Sequence, residues 1–367
     1  MNRRNGLDTK RRRGGFAAAV VGCGAIGSLY DEGRNNGAIY THAGMYCRLE
    51  DFILKAGADR NEERLREFGR AWRVTGLYTS LETMLLRQET DIISIATPDH
   101  THAPLIETCL ALRPPRIIFT EKPLAENLEA GRKLIESCRA KNVHLVVDYV
   151  RRWDSTHRRI REFLENRGLG RIQTAVGYYV RGLRHNGCHL INLAHFLFGR
   201  FRRVRAFGRA DQGSLPGDPS LHLHLETADD VGLDFIALDR RAYDFSLFEL
   251  DILGETGRLR LLDGGRRFEL YRVEPHPDFP NFKHLDGRKE SWLFSTYEQA
   301  MLQAGRELAA VLRGEAARSV NDAAEALDDL AVIEAALRSS RADGRFEEVD
   351  YPDQSKIGRN LNDKTGR

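Results

Sequence analysis

The run Gly22-Cys23-Gly24-Ala25-Ile26-Gly27 lies where a short apolar stretch, Phe16–Val21, ends. Three glycines at that spacing have separate uses in holding a dinucleotide. Gly22 permits a tight turn, Gly24 lets a pyrophosphate approach the backbone, and Gly27 lets a helix pack close to its strand. A helix opening through Gly24, Ala25 and Ile26 would aim unpaired N–H groups at the phosphates. The bland alternative is a plain strand–helix turn. A dinucleotide site also needs an acidic residue after the second strand, to hold the adenine ribose. Asp59 follows the apolar run Phe52–Ala58 and fits, but it comes 32 residues after Gly27, against the usual ~20. The excess points to an insertion over residues 31–40, either a loop over the cofactor or a surface excursion. The Asp59 carboxylate would repel a 2′-phosphate, which favours NAD. Arg60 beside it would pair with one, which leaves NADP open.

The elements around these residues alternate. Apolar runs at 16–21, 52–58, 92–96, 116–120 and 143–148 read as strands. Helix-period stretches fall near 61–71, 79–88, 102–112 and 126–141, the second opened by a Thr79/Glu82 capping box. Alternating strands and helices imply a doubly wound parallel sheet, a Rossmann fold. After residue 150 the pattern changes. Helices are expected at 154–166, 188–198, 296–313 and 321–340, with a Ser295/Glu298 box before the third. Between them lie strand-like runs at 173–181, 204–209, 221–227, 231–239, 245–253, 258–262 and 267–273. Few helices separate them, so a large, mostly antiparallel open sheet in an α+β domain follows. The expected division is a disordered basic tail (1–15), a dinucleotide-binding domain (16–149), a substrate and oligomerisation domain (150–351) and a flexible tail (352–367).

Length agrees: 367 residues, 41% hydrophobic and 30% charged, suit two soluble domains. The net charge of +3 misleads. Residues 1–15 hold six basic side chains against Asp8, and the rest is near neutral. No case for nucleic acid arises, and no apolar run approaches a membrane span. Arg11-Arg12-Arg13 before an apolar stretch resembles an export signal, but that stretch runs into the glycine motif and reads as a strand. Five widely spaced cysteines without a Cys-x-x-Cys pair suggest a reducing cytoplasm. His185 and His189 are four apart, and His222 and His224 alternate on a strand. Nothing in sequence makes them converge with a carboxylate, so no metal is expected.

Three further segments fall in register with the glycine motif: Thr97-Pro98-Asp99-His100-Thr101-His102, Glu121-Lys122-Pro123, and Gly187-Cys188-His189-Leu190-Ile191-Asn192. With them the chain resembles the Gfo/Idh/MocA oxidoreductases over residues 16–350. The resemblance implies hydride transfer between NAD(P) and a secondary alcohol of a sugar-like substrate. It gives Lys122 a place beside the nicotinamide and the reacting hydroxyl, often with a cis bond to Pro123. Removing hydride from an alcohol requires its proton to leave as well. A lysine can donate a hydrogen bond to the developing alkoxide or, with a lowered pKa, act as the base. His189 matches the family's second-domain histidine, which relays the proton or orients the substrate. Thr97, Pro98, His102 and Glu121 are implied on the cofactor side. Arg152, His185 and Asn192 are implied on the substrate side.

Two departures stand out. Relatives that act on free sugars and cyclitols often have aspartates where this chain has His185 and Asn192. Arg151, Arg152, Arg181 and Arg184 also crowd this region, and a nucleotide sugar or sugar acid would suit them. The resemblance further implies a homodimer or homotetramer. Two other functions share the fold: a glycosidase that recycles hydride on bound NAD, and a non-catalytic dinucleotide-sensing regulator.

Overall fold

The computed structural model describes residues 14–34, 37–243, 248–288 and 290–353. The tails expected to be disordered lie almost wholly outside the described residues. Six parallel strands form the first sheet: β1 (Phe16–Val21), β2 (Phe52–Ala58), β3 (Gly76–Tyr78), β4 (Ile92–Ile95), β5 (Ile117–Thr120) and β6 (His144–Val147). Their order is β3-β2-β1-β4-β5-β6, the arrangement of a dinucleotide-binding sheet with its crevice where the order reverses. The three-residue β3 carries too little apolar pattern to read from sequence.

The helices of this half are α1 (His42–Arg48), α2 (Glu62–Trp72), α3 (Leu81–Arg87), α4 (His102–Leu112) and α5 (Leu128–Ala140). Both faces of the sheet are covered. Ala18, Val20 and Phe119 pack with Met45, Phe68 and Leu308, and Ala19, Val21 and Ile118 share the opposite core with Met84, Ile106 and Leu134. The cap of α3 is Ser80, whose side chain accepts from the Thr83 N–H, not Thr79. Ser80 sits one residue closer to the first free amide.

The second sheet has nine strands: β7 (Ile172–Tyr179), β8 (Phe201–Asp211), β9 (Ser220–Thr227), β10 (Gly232–Ala237), β11 (Phe248–Gly254), β12 (Gly257–Leu262), β13 (Arg267–Pro275), β14 (Lys283–Arg288) and β15 (Glu347–Glu348). All neighbours are antiparallel except β7 and β10. Helices α6 (Ser155–Glu165), α7 (Cys188–Phe198) and the short α8 (Arg240–Tyr243) accompany it, and α9 (Ala300–Arg313) and α10 (Ala323–Arg341) close the fold. No capping box opens α9. A 3-10 turn at Tyr297–Gln299 precedes it, and no side chain caps it. Met301, Ala304 and Leu308 of α9 are buried in the first domain's core, so the chain returns there after leaving the second sheet.

Candidate active site

The glycine motif does not open a continuous helix. Gly24 and Ala25 carbonyls accept from Ser28, Leu29 and Tyr30, giving one turn, and a 3-10 segment follows at Leu29–Asp31. The helical ladder then resumes far along the chain. His42 N–H donates to Ile26 O at 3.2 Å, and Ala43 N–H to Gly27 O at 3.0 Å. His42 and Ala43 thus take the places that residues 30 and 31 would hold in an unbroken helix. The insertion is residues 30–41, and without those 12 residues Asp59 would follow Gly27 by 20. Asp31 ties the excursion shut: its buried carboxylate accepts from the Tyr40 and Thr41 N–H groups and from the Thr41 hydroxyl at 2.7 Å. Thr41 in turn caps α1.

The glycines behave as their spacing demands. Gly22 has φ +88, and a Cβ there would lie 2.4 Å from Ala96 O. A Cβ on Gly27 would strike Gly22 O, whereas one on Gly24 would meet nothing within 4 Å. That open space over Gly24 is where a pyrophosphate needs to approach. At the end of β2, Asp59 accepts from Cys23 N–H at 2.8 Å and Asn61 N–H at 2.9 Å. Its carboxylate is therefore fixed beside the glycine turn, where an adenine ribose would bind. Arg60 is exposed.

A cleft of about 800 Å³ runs from the glycine turn to the second domain. Of the residues singled out from sequence, Gly24, Ala25, Ile26, Thr97, Pro98, Glu121, Lys122, His185 and His189 line it. Lys122 follows β5, and its bond to Pro123 is cis. Its ammonium donates to His185 O at 2.8 Å. His185 lies in a π-helical turn, Leu183–Gly187, that leads into α7. The Asp218 carboxylate accepts from the Arg184 and His185 N–H groups at 2.7 and 2.9 Å and so caps that turn. His185 Nδ1 meets Asp99 Oδ2 at 2.9 Å. The carboxylate that the second domain lacks at position 185 is thus supplied by the first domain's Thr97–His102 segment. Burial would raise Asp99, but the His185 hydrogen bond and the Lys122 charge hold it below its ordinary value.

His189, one turn further, is pushed well below the usual histidine range, first by burial and then by the Lys122 and Arg151 charges. Its Nδ1 is buried without a partner, and its ring stands edge-on to Tyr149. A neutral imidazole at the cleft wall can accept a proton. Cys188 beside it is buried, and its thiol is raised to about 12 by burial. It is no nucleophile.

Three assignments are corrected. His102 does not reach the cleft: its ring nitrogens face Pro123 O and Thr97 O, each at 2.8 Å. It pins the two cofactor-side loops together from behind. Arg152 is buried and engages Asn192 Oδ1 at 3.0 Å and Glu325 at 2.9 Å. Asn192 donates to Asp329 at 2.7 Å. Neither touches the cleft, because the hinge turn Val150–Arg152 aims Arg151 inward and Arg152 into the packing between α7 and α10.

A cluster that sequence reasoning missed lies under Lys122. His42 Nε2 approaches Glu121 at 3.4 Å and Asp148 at 3.8 Å, while its Nδ1 meets Ser94 Oγ at 2.9 Å. Tyr46 OH continues the chain to Ser94 at 2.7 Å. Burial and the Glu121 charge push Asp148 well above the carboxylate range. Burial opposes ionisation of Glu121 too, yet the His42 hydrogen bond and charge keep it below its ordinary value. The two carboxyl groups are thus driven in opposite directions, Asp148 up and Glu121 down. The three ligand-capable atoms lie within 4.8 Å of one another. The Lys122 charge acts on the same place and favours the ionised form of both carboxyl groups. The only sequence signal was four polar residues, Ser94, Glu121 and Asp148 at strand ends and His42 at a helix start.

Comparison with known proteins comes to the same fold. Residues 16–149 match the family model described as an oxidoreductase family with an NAD-binding Rossmann fold. A D-apiose dehydrogenase of Paraburkholderia graminis is 26% identical over 283 residues, 71% of this chain and 70% of that protein. An inositol 2-dehydrogenase of Rubrobacter xylanophilus is 31% identical over 157 residues, 42% of this chain and only 41% of that protein. Among solved structures, the WlbA dehydrogenase of Bordetella pertussis, in complex with NADH and UDP-GlcNAcA, superposes with a TM-score of 0.74 at 21% identity. That match covers 93% of this chain and 99% of that one.

Proposed function

We propose, from the match of residues 16–149 to the NAD-binding domain of the Gfo/Idh/MocA oxidoreductases, that the chain is a member of that family and moves hydride between nicotinamide and a secondary alcohol of a sugar-like substrate. One observation carries the reading: Lys122 and His189, a cationic donor and a neutral acceptor, line one cleft that begins at the glycine turn. The glycine turn and Asp59 would hold NAD, which when bound would supply the acceptor for the carbinol hydride. Lys122 exchanges its hydrogen bond to His185 O for one to the developing alkoxide, and His189 takes the hydroxyl proton. The Asp99–His185 pair holds the carbonyl that positions Lys122. Asp59, fixed by the Cys23 N–H, supports NAD over NADP.

The reading extends to assembly and location. The outer face of the second sheet shows Val176, Tyr178, Ile236 and Tyr271 half-buried or exposed among ion pairs such as Arg258–Asp251. This face suits a second copy of the chain, as a homodimer or homotetramer. The five cysteines are free thiols, four of them buried, in keeping with a reducing cytoplasm. Among the described residues, no helix is long and apolar enough to cross a membrane.

The test is to follow reduced-nicotinamide absorbance with NAD or NADP and a panel of free sugars, cyclitols, sugar acids and nucleotide sugars, with Lys122→Ala in parallel. Turnover with NAD that the variant loses supports the dehydrogenase. Tight cofactor binding with silence across the panel favours the recycled-hydride glycosidase or the sensor.

A further inference from the structure

The 12-residue insertion does more than interrupt a helix. Ile39 N–H donates to Glu298 O at 3.1 Å, which ties it to the segment leading into α9. Here a ladder of cations and rings forms along the cleft wall. Arg34 lies over the Tyr40 ring at 5.2 Å. Tyr40 and Tyr297 approach at 6.3 Å between centroids. Arg266 faces both rings, at 5.9 and 4.7 Å. Arg151 completes the series over Tyr297 at 5.3 Å. All five line the cleft, though they come from the insertion, the hinge, the turn before β13 and the approach to α9.

The ladder's charge is unbalanced. Elsewhere guanidinium groups meet carboxylates: Arg152 meets Glu325, Arg64 meets Glu32, Arg200 meets Asp328 and Arg258 meets Asp251. Among the described residues no carboxylate forms an ion pair with Arg34, Arg151 or Arg266. Arg151 is buried, and its polar partner is Gly264 O at 2.7 Å. Of the nearby acids, Glu298 brings one negative charge to the three cations through its hydrogen bond to Tyr40, while Asp154 engages His157 and Thr296, and Asp148 meets Glu121. Ring faces soften three like charges but do not neutralise them. A planar, forked donor set of this kind matches carboxylate or phosphate oxygens, and the phenol rings offer faces to a sugar or base.

We propose that this ladder is an anion subsite of the substrate pocket, so that the substrate is a carbohydrate bearing a carboxylate or phosphate group. The insertion supplies Arg34 and Tyr40 to it. The inference rests on the proposed dehydrogenase reading for the presence of a sugar-like substrate, and names its class. The glycine turn, with its open space over Gly24, would take the cofactor's phosphates, which leaves the ladder for a second anion.

The test uses Lys122→Ala loaded with NADH, so that binding is read without turnover. Calorimetry compares matched probes, neutral glucose against each of glucuronate, glucose 6-phosphate and UDP-glucose. The expected result is at least tenfold tighter binding of the charged member of a pair, an advantage that shrinks with added salt. Glucuronate against glucose 6-phosphate separates carboxylate from phosphate. Arg34→Ala and Arg266→Ala, both at exposed positions, should each remove most of that advantage with NADH affinity unchanged, and Arg266→Lys should restore part of it. Equal binding of charged and neutral probes overturns the proposal. So does an advantage that survives both alanine variants, or a loss confined to NADH affinity, which would assign the ladder to the cofactor. Turnover of a neutral sugar indifferent to both variants would sink the subsite and leave the dehydrogenase standing. Ladder-dependent anion binding by a protein that reduces no NAD would do the reverse.

Discussion

The two ends of the cleft are built from different material. At the cofactor end the backbone is the binding surface: a turn at Gly22, open space over Gly24 and one carboxylate, Asp59, held by a backbone N–H. At the substrate end side chains form the surface, and they converge from distant segments. Lys122 reaches a carbonyl in α7's leading turn, Asp99 pairs with His185 across the domains, and Arg151, Arg266 and Arg34 share two tyrosine rings. A backbone site tolerates one residue type at each position, so it writes itself into local sequence. A side-chain site depends on where loops end, so it leaves only scattered residue types.

The comparison yields four predictions. Lys122→Ala should slow hydride transfer about 1,000-fold, within the range for a lost acid–base group, with NAD affinity unchanged by fluorescence titration. An equal fall in NAD affinity would blur the division between the two ends. The neighbouring hinge arginines sharpen it further. Arg152→Ala should cost about 2 kcal/mol of stability, the scale of hydrogen bonds to charged groups, read as a lower Tm or denaturant midpoint, with KM little changed. Arg151→Ala should instead raise KM. If the two variants traded phenotypes, the inward and packing roles would be misassigned.

At the cofactor end, Asp59→Ala should weaken NAD binding about tenfold, as expected for one charge-assisted contact, and narrow the preference over NADP. The smallest effect concerns Asp148. Its folded pKa is raised, so the folded protein keeps a proton that the unfolded chain releases above about pH 4. Its contribution is therefore complete in acid and falls as pH rises towards the folded value. Asp148→Asn carries no such proton. Its stability relative to wild type should therefore rise as pH goes from 4 to 8, seen as a difference in Tm shifts. A constant difference would mean that Asp148 is ionised in the folded protein.

Local sequence carried the parallel sheet, the glycine turn and Asp59, because apolar runs and glycines act over a few residues. It also showed that the Gly27–Asp59 spacing was too long, but not that the helix resumes at His42, since the closing hydrogen bonds join residues sixteen apart. Family resemblance placed Lys122 and His189 in the cleft. It failed for Arg152 and Asn192, where the hinge turn and Asp329 redirect side chains of the expected type. The His42–Glu121–Asp148 cluster and the arginine–tyrosine ladder were illegible. Each joins segments whose approach is decided by the packing of whole domains.

The central claim is hydride transfer in this cleft, with Lys122 holding the developing alkoxide and His189 taking the hydroxyl proton. The most direct measurement takes an alcohol that binds the NAD complex, deuterated at its carbinol carbon, and follows the label by mass spectrometry in a single turnover. The account predicts deuterium on the nicotinamide ring, arriving about 1,000-fold more slowly in Lys122→Ala. Label that stays on the sugar while both ligands are bound, or that transfers equally fast in the variant, would contradict it.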